Sequence, residues 1–343
     1  GIRVSQKPRK RPPTMSDIAR MAEVSRTTVS FVLNNHTSSA SIPAETKARV
    51  LEAAKSLSYR PNLAAQALHT NQTHTIGFVT DEIATTPHAV NIIRGAQDAA
   101  WANGKLLLIV NTGSDATVTE TAVEMMLGRQ VDGIIYAAMF HQEVELPANI
   151  CEGPAVLIDC FCANRLLPSV VPNEMQGGRT ATEVLLKKGH RRIGFINNID
   201  PIPASFGRLA GYKQALQTYD IPFDENVVRL HSSDARGGYQ GTLDLMQLGE
   251  PPTAIFCFSD FMAMGAYDAL RTLGLSIPED IAVIGFDNHE VIAAQLRPTL
   301  STMQLPHYQM GTWAVQFLLE HNGASLPQVQ HSIACPYIER QSV

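Results

Sequence analysis

From residue 75 onward, short apolar runs alternate with longer amphipathic stretches. The apolar runs have the length and composition of buried strands, and several of the stretches between them end in glycine, as helices often do. Alternation of this kind predicts βαβ units and therefore parallel sheets. The predicted strands cover residues 75–79, 106–110, 133–136, 155–158, 193–196, 227–230, 254–258 and 281–285.

The same region contains a weak internal repeat, because IGFV at residues 76–79 recurs as IGFI at residues 193–196. Each copy opens a series of strands and helices, so the body is expected to fold as two similar α/β lobes. A cleft between two such lobes is a natural ligand site. The expected lobes hold about residues 74–170 with 306–330, and about residues 171–305 with 331–343.

Residues 14–59 carry a different pattern, which predicts three short helices around one small apolar core. Thr14, with Asp17 three residues later, has the spacing of an acidic capping box. Ser25 can cap a second helix over residues 26–34. One face of that helix is apolar, with Val29, Val32 and Leu33, and the opposite face carries the hydrogen-bonding side chains of Arg26, Thr27, Ser30 and Asn34.

That second helix has what a recognition helix needs, because its first side chains could read base edges while hydroxyls and amides contact phosphates. Taken alone, it fits an ordinary solvated helix equally well. A third helix, opened by Pro43 and apolar at helical spacing from Val50 to Leu57, favours DNA binding. Residues 60–62 then break the helix, and residues 63–68 are alanine-rich but too short to form a stable helix alone.

The distribution of charge supports a nucleic-acid partner at one end of the chain. Residues 1–70 hold 11 Lys and Arg against 4 Asp and Glu, whereas the remainder holds 16 against 28. A basic head on an acidic body indicates nucleic acid at the head only. Residues 1–13 are expected to be a disordered basic tail that adds nonspecific phosphate attraction, although a merely solubilising tail explains them almost as well.

The head resembles the headpiece and hinge of the lac-repressor (LacI/GalR) family of bacterial transcription regulators. The matching residues are Asp17-Ile18-Ala19, Val24-Ser25, Thr28-Val29-Ser30, Val32-Leu33-Asn34, Thr46, Val50, Ala53-Ala54, Leu57, Tyr59, Pro61-Asn62 and Ala67-Leu68. The body resembles the effector domain of the same family, which shares its fold with periplasmic sugar-binding proteins. There the matches are Arg94-Gly95, residues 131–135, 189–193 and 208–212, Ser259-Asp260 and residues 283–287.

This resemblance implies a fold class and a set of DNA contacts. The implied fold is α/β, with a helix-turn-helix headpiece at residues 14–59, a hinge at 60–73 and a two-lobed effector-binding and dimerisation domain, built on two doubly wound parallel sheets, at 74–343. Arg26 and Thr27 would read bases, Thr28, Ser30 and Asn34 would contact phosphates, and Leu68 would wedge into the minor groove. The full set of expected DNA-binding residues is Thr14, Arg26, Thr27, Thr28, Ser30, Phe31, Asn34, Asn62 and Leu68.

Three departures from the family pattern lie in the headpiece. Phe31 stands where an arginine is usual, so it could touch a thymine methyl group or simply cover the small core. Glu23 stands where the turn usually has glycine, and a left-handed backbone there would cost about 1 kcal/mol. The loop at residues 35–41 is a few residues longer than usual.

Candidate effector-binding residues follow predicted strands, because ligands bind beyond the carboxyl ends of parallel strands. The polar residues at such positions are Asp81, Asn111, Asp159, Asn197, Asp260 and Asp287. With Arg208 as a donor fork, they would suit a neutral polyhydroxylated ligand. The resemblance carries effector binding to Thr86, His88, Asp159, Arg208, Ser259 and Asp287, and the position of Asp81 after a predicted strand adds it to this set.

Alternatives remain at several of these positions. Asp260 is better explained as a helix N-cap than as a ligand contact, and for Asp81 the two explanations are nearly even. Arg208 and Asp287 could instead form a salt bridge between the lobes. Ser259 and Leu305 depart from residues common in the family, so a nucleobase stays an alternative to a sugar.

Other classes of function find little support in the sequence. No GxGxxG, P-loop or GxSxG motif stands at a strand end, so no enzymatic activity and no cofactor are expected. Histidine and cysteine spacing predicts no metal site, and no apolar run reaches the roughly 18 residues of a membrane helix. Without a signal peptide, the five cysteines are expected to be reduced thiols in the cytoplasm.

Together these features predict a dimeric, cytoplasmic, nucleoid-associated transcriptional regulator. It would most simply repress catabolic or transport genes by binding a pseudo-palindromic, double-stranded operator. A carbohydrate or similar effector in the cleft would change operator affinity. A solute-binding protein or a doubly wound enzyme using the same cleft is the alternative.

Overall fold

The computed structural model describes residues 11–34, 41–60, 72–321 and 326–343. The chain divides into two compact units, residues 1–73 and residues 74–343, each of which has its own core. Most of the expected hinge, including Asn62 and Leu68, lies outside the described residues.

Within its described part, the first unit is a small bundle of three helices: α1 Met15–Met21, α2 Arg26–Leu33 and α3 Ala44–Ser56. The predicted N-terminal caps are confirmed. The amide and hydroxyl of Thr14 donate to the Asp17 carboxylate at 2.8 and 2.7 Å, and Ser25 Oγ accepts the Thr28 amide at 3.0 Å. The core holds the apolar residues expected from the helical spacing: Ile18, Ala22, Val29, Val32, Val50 and Ala53.

The second unit alternates strands and helices as the sequence pattern predicts. Its strands are β1 Thr75–Thr80, β2 Leu106–Asn111, β3 Gly133–Glu143, β4 Ala155–Phe161, β5 Ser169–Pro172, β6 Ile193–Asn198, β7 Val228–His231, β8 Ala254–Cys257, β9 Ala282–Asp287, β10 Ser301–Gln304, β11 Gln330–Ile333 and β12 Tyr337–Ile338. Its α-helices are α4 Val90–Ala102, α5 Ala116–Gly128, α6 Glu174–Lys187, α7 Pro203–Thr218, α8 Ala235–Met246, α9 Asp260–Thr272 and α10 His307–Glu320. Short 3₁₀ helices lie at Ile83–Thr85, Ala148–Glu152 and Glu225–Val227.

These strands form two sheets, one for each lobe. The first lobe has the order β11-β5-β4-β3-β1-β2, and all of its pairs are parallel. The second has the order β12-β10-β9-β8-β6-β7, parallel except for the short edge strand β12. Separate apolar layers cover the two faces of the first sheet, whereas one large core surrounds the second.

The chain crosses between the lobes three times. The crossings follow β5, β10 and β11, so β11 belongs to the first lobe and the last crossing lies after Ile333. That position is three residues beyond the boundary expected near residue 330. Four strands, β5 and β10 to β12, were not predicted, because their sequences SVVP, STMQ, QHSI and YI contain no extended apolar run.

Helices α6 and α7, which carry Glu174 and Arg208, pack with their backbones in contact. A Cβ atom on Gly178 would lie 2.3 Å from the carbonyl oxygen of Arg208, and one on Gly211 would lie 2.1 Å from that of Met175. Only glycine fits at such a distance, so these two residues set how closely α7 approaches α6.

Two further features of the described residues bear on the class of protein. None of the helices in the described ranges is long and apolar enough to cross a membrane. The five cysteines are all free thiols, of which Cys160, Cys257 and Cys335 are buried.

Glu23 adopts a left-handed backbone with φ of 53° in the turn between α1 and α2, so the strain considered from the sequence is present. Replacing Glu23 with glycine should therefore stabilise the headpiece by about 0.5–1 kcal/mol, after the greater freedom of glycine in the unfolded chain is counted. Native-state hydrogen exchange of the α1–α3 amides measures the change. Glu52→Gly in the exposed middle of α3 should do the opposite. Weaker protection in Glu23→Gly would contradict this account of the turn.

Candidate functional site

Helix α2 presents most of the expected DNA-binding side chains at the surface of the headpiece. Arg26, Thr27 and Asn34 are exposed, and Thr28 and Ser30 are half-buried. Two local contacts orient this surface: Thr28 Oγ1 lies 2.9 Å from Ser25 Oγ, and Asn34 Nδ2 donates to Ser30 Oγ at 3.2 Å. Thr14 instead uses its hydroxyl in the cap of α1.

Phe31 is half-buried and is not one of the residues that form the small core. It lies four residues after Thr27 and three before Asn34, so helical geometry places it on their side of α2. Val29 and Val32, which are buried, lie on the other side.

The second unit contains a cavity of about 410 Å³ between its two lobes. Five of the seven expected effector residues line it: His88, Asp159, Arg208, Ser259 and Asp287. Its wall also holds Met139, Phe140, His141, Glu174, Asn198, Asp200, Ile202, Ala204, Ser233, Phe258, Phe261 and Leu305. A volume of this size accommodates a small metabolite.

Arg208, on α7, is the central cation of this cavity, and its charge is paired inside the protein. Its Nε donates to Glu174 Oε2 at 2.8 Å, and its Nη1 donates to the carbonyl oxygen of Phe258. The guanidinium also lies 3.6 Å from the ring centroid of Phe286 and 4.2 Å from that of Phe258. The ion pair of Arg208 with Asp287 considered from the sequence is also present, with 3.9 Å between Nη1 and Oδ1, but both residues belong to the second lobe, so it does not join the lobes.

Burial and charge act in opposite directions on this pair. Burial alone would raise the pKa of Glu174, but the adjacent Arg208 and a contact with His141 hold it below its usual range. Burial would likewise lower the pKa of Arg208, and Glu174 and Asp287 raise it instead. Both side chains are thus charged, and each depends on the other to remain so.

Asp159 and Asp287 approach the cavity from opposite lobes, and both have a left-handed backbone, with φ of 57° and 114°. Such conformations are costly for residues other than glycine and tend to occur at functional sites. Asp287 Oδ1 lies 3.9 Å from Arg208 Nη1. Burial raises the pKa of Asp287 well above its usual range, although Arg208 opposes the shift and neighbouring carboxylates reinforce it.

Asp159 projects toward the cleft because the pairing of β3 with β4 is interrupted there. Ala137 pairs with Ile158, and the next pair is Gln142 with Cys160, so residues 138–141 stand opposite Asp159 alone. This bulge carries Met139, Phe140 and His141 into the cavity wall. Bulges of this kind redirect side chains next to functional sites.

Asp81 and Thr86 do not line the cavity, and both contact Met139 of the bulge instead. Asp81 Oδ2 accepts the Met139 amide at 3.0 Å, and Thr86 Oγ1 donates to Met139 Sδ at 3.3 Å. The bulge frees backbone amides from the strand pairing, and the buried Asp81 carboxylate satisfies one of them. Asp81 therefore holds the wall of the cavity in position without entering it.

Asp260 is not the N-cap of its helix, contrary to the sequence-based interpretation. Ser259 takes that role, since its Oγ accepts the Met262 amide at 3.3 Å. The fully buried Asp260 carboxylate accepts the Thr302 hydroxyl and the His289 amide, both at 2.6 Å. Burial raises the pKa of Asp260 to about 7, although these two hydrogen bonds oppose the shift.

Three histidines that were not predicted from the sequence, His141, His289 and His307, lie at the cleft. His307 Nε2 is 3.7 Å from Asp159 Oδ2, and His141 Nδ1 is 3.7 Å from Glu174 Oε1. His88 lies beside His307 and His289, with ring centroids 5.6 and 6.4 Å apart. No group of metal-ligating residues in the described part of the chain has the geometry to hold a metal ion.

The residues missed by sequence reasoning were missed for different reasons. Glu174 lies two residues after β5, whose sequence SVVP gives no clear apolar run, so the rule that site residues follow strands could not select it. His141 lies in a bulge, and His307 opens α10 after a crossing between lobes. Phe140, Phe258 and Phe261 carry no polar group that marks them as binding residues.

Burial, together with the neighbouring His307, His289 and Arg208, lowers the pKa of His88 to about 3. The folded state thus excludes a proton that the unfolded chain takes up below about pH 6.5, so stability should fall as pH drops from 6.5 toward 3. Between pH 7.5 and pH 5 the wild type should lose up to about 2 kcal/mol more than His88→Gln. Denaturant melts at both pH values measure the difference, with His74→Gln, at an exposed site, as the control. Equal losses in wild type and His88→Gln would refute a buried neutral His88.

Comparisons with known proteins agree with this geometry. Residues 14–62 match the family described as bacterial regulatory proteins, lacI family, and residues 182–343 match a periplasmic binding protein-like domain. The chain is 33% identical to the ribose operon repressor of Haemophilus influenzae, over 90% of this chain and 91% of the relative. It is 31% identical to the transcriptional repressor PurR of Vibrio atlanticus, over 90% of this chain and 91% of that one.

Among solved structures, the chain resembles the lac repressor dimer bound to operator and the anti-inducer ONPF. The TM-score is 0.79 with 27% identity, over 97% of this chain and 99% of that one. The expected α/β fold, with a helix-turn-helix headpiece and a periplasmic-binding-protein-like body, is confirmed. The family consists of transcriptional regulators rather than enzymes. The chain belongs to the lacI family of bacterial regulatory proteins.

Proposed function

We propose that this protein is a sequence-specific transcriptional repressor whose affinity for operator DNA is set by a small molecule bound between the lobes of its second unit. The observation that carries the proposal is that one chain combines an exposed hydrogen-bonding surface on α2 with a metabolite-sized cavity. The genes it controls would serve the uptake or breakdown of its effector.

In this proposal, α2 enters the major groove of double-stranded DNA. Arg26 and Thr27 lie exposed in its first turn, where recognition helices contact base edges. Thr28, Ser30 and Asn34 contact phosphates. Thr14 caps the first helix, and the backbone of Thr14 lies close to the phosphates of the DNA. Phe31, on the same side of α2 as Thr27, meets a thymine methyl group. Asn62 and Leu68 follow the headpiece, and Leu68 wedges into the minor groove.

The effector binds to Asp159, Arg208, Ser259, Asp287 and His88, whereas Asp81 and Thr86 support the wall. Carboxylates and hydroxyls around aromatic rings suit a sugar or sugar derivative. The ribose operon repressor is named for a sugar. A nucleobase is the alternative ligand chemistry, because Ser259 and Leu305 depart from residues common in the family.

The repressor acts as a homodimer on a pseudo-palindromic operator, because two headpieces reading two half-sites require two-fold symmetry. The edge strand β2 exposes Leu106, Leu108 and Ile109, and the nearby Trp101 is 72% exposed. An apolar surface on an open sheet edge is the kind that a second copy covers. The site of action is the cytoplasm, at the nucleoid.

Arg26→Ala tests the DNA-binding part of the proposal. Losing a base contact should weaken binding to the preferred duplex, found by selection from a random library, by roughly 10- to 100-fold, while nonspecific binding changes little. Fluorescence anisotropy at fixed salt measures both affinities. Arg49→Ala removes the same charge from an exposed position on α3. It should weaken binding to the preferred and to the nonspecific duplex by a similar small factor. The base-reading role of Arg26 would be disproved by an unchanged ratio of specific to nonspecific affinity.

A further inference from the structure

Among the described residues that line the cavity, Arg208 is the only Lys or Arg, and its charge is already paired within the protein. Its side chain is 4% exposed and that of Glu174 is 5% exposed, with 2.8 Å between Nε and Oε2. Nη1 donates to Phe258, and the flat faces of the guanidinium lie near the rings of Phe258 and Phe286. A ligand entering the cavity therefore meets a neutral pair rather than a free cation.

The rest of the wall is acidic. Arg208 pairs with Glu174 at 2.8 Å and with Asp287 at 3.9 Å, and the other carboxyl groups of the described wall are Asp159 and Asp200. Of the two histidines in that wall, His88 is held in its neutral form by burial, and His141 faces Glu174 with 3.7 Å between Nδ1 and Oε1. An anion would thus enter a cavity whose remaining charges repel it.

Asp159 supplies an independent sign that a ligand is expected to donate hydrogen bonds. Its side chain is 2% exposed, and Oδ1 has no hydrogen-bond partner in the structure. Its other oxygen is 3.7 Å from His307 Nε2, a ring nitrogen that is also without a partner. A buried acceptor that lines a cavity without a donor is costly, so a donor from a ligand would be strongly favoured.

Asp287 faces the same cavity from the other lobe. Asp159 stands in β4 and Asp287 ends β9, so a donor group placed between them would contact both lobes at once. A group that donates a hydrogen bond to each of these carboxyl groups bridges the two lobes. Binding of such a group would therefore draw the lobes together.

We propose that Glu174 sets the charge selectivity of the cleft: because it neutralises Arg208, the cleft rejects anions, and Asp159 and Asp287 accept hydrogen bonds only from a non-anionic donor group of the effector. The inference rests on the proposed effector role of the cleft and narrows its ligand to uncharged or cationic molecules. The donor is either a set of hydroxyls on a neutral sugar or an ammonium on an amino sugar. Phosphate esters and carboxylates are excluded.

Glu174→Gln tests the role of Glu174 directly, because it removes the negative charge and keeps the shape. The probe is inorganic sulfate, titrated calorimetrically into the full-length protein against sodium chloride of equal ionic strength. The wild type should show no saturable binding within the concentration range used. Glu174→Gln should bind sulfate with a Kd at least about tenfold below the highest concentration used, as expected for one charge-assisted contact with Arg208. Glu174→Gln combined with Arg208→Gln should lose that gain.

Glu183→Gln is the matched control. It makes the same change on the same helix, where Glu183 pairs with Arg179 and Lys187 at the surface, and it should behave as the wild type does. A folded Glu174→Gln that gains no sulfate binding would overturn the proposal. Arg208-dependent sulfate binding by the wild type would also overturn it, and that arm decides the question even where Glu174→Gln does not fold.

A second measurement identifies the source of the donor. Melting temperatures of the wild type are compared with D-glucose, D-glucosamine and D-glucose 6-phosphate, and with D-ribose and D-ribose 5-phosphate. No phosphorylated form should stabilise the protein more than its parent sugar, and a larger effect of glucosamine than glucose would assign the donor to an ammonium. A phosphorylated form that stabilises the protein when its parent does not would refute the selectivity. Neither measurement uses DNA, so a failure of operator binding would leave both results standing.

Discussion

The buried pair of Arg208 and Glu174 is the interaction on which the cleft of this protein depends. Taking two charges out of water is costly, and only close contact with additional hydrogen bonds compensates for the cost. The structure meets that condition by bringing α6 and α7 together at Gly178 and Gly211, so that the two side chains meet at 2.8 Å. The rings of Phe258 and Phe286 enclose the guanidinium, and an Arg in such a site is more weakly hydrated than a Lys would be.

Around this pair, each lobe contributes one aspartate with a strained, left-handed backbone. Asp159 owes its position to the interrupted pairing of β3 with β4, and Asp81 holds that bulge by accepting the Met139 amide. Asp287 owes its position to β9, whose following loop is fixed by the hydrogen bond that the His289 amide donates to the buried Asp260. Backbone strain of this kind persists only where the surroundings enforce it. The two carboxyl groups are thus held in place before any ligand arrives, which reduces the ordering that binding requires.

Much of this organisation could be predicted from the sequence, and there are physical reasons why the rest could not. The caps at Thr14 and Ser25 and the helical spacing of Val50 and Ala53 are local features, so they located the headpiece helices correctly. Strands β1, β6 and β8 stand out as apolar runs. Strand β5 is as long as β8, but its sequence SVVP holds only two valines between a serine and a proline, so β5 was missed and Glu174 with it. The bulge is a property of two paired strands, so no single run of residues could reveal that the Asp81 carboxylate contacts Met139 rather than the cavity.

The headpiece and the second unit therefore act as one regulator, in which a small molecule bound by the second unit changes the affinity of the headpiece for DNA. Such coupling is reciprocal, because the factor by which an effector changes operator affinity must equal the factor by which operator changes effector affinity. The most direct test is to measure both factors by titration, with a metabolite that raises the melting temperature of the protein and its selected operator duplex. Equal factors of about 5- to 150-fold are predicted. An operator affinity that stays the same while the cleft is saturated would contradict the account.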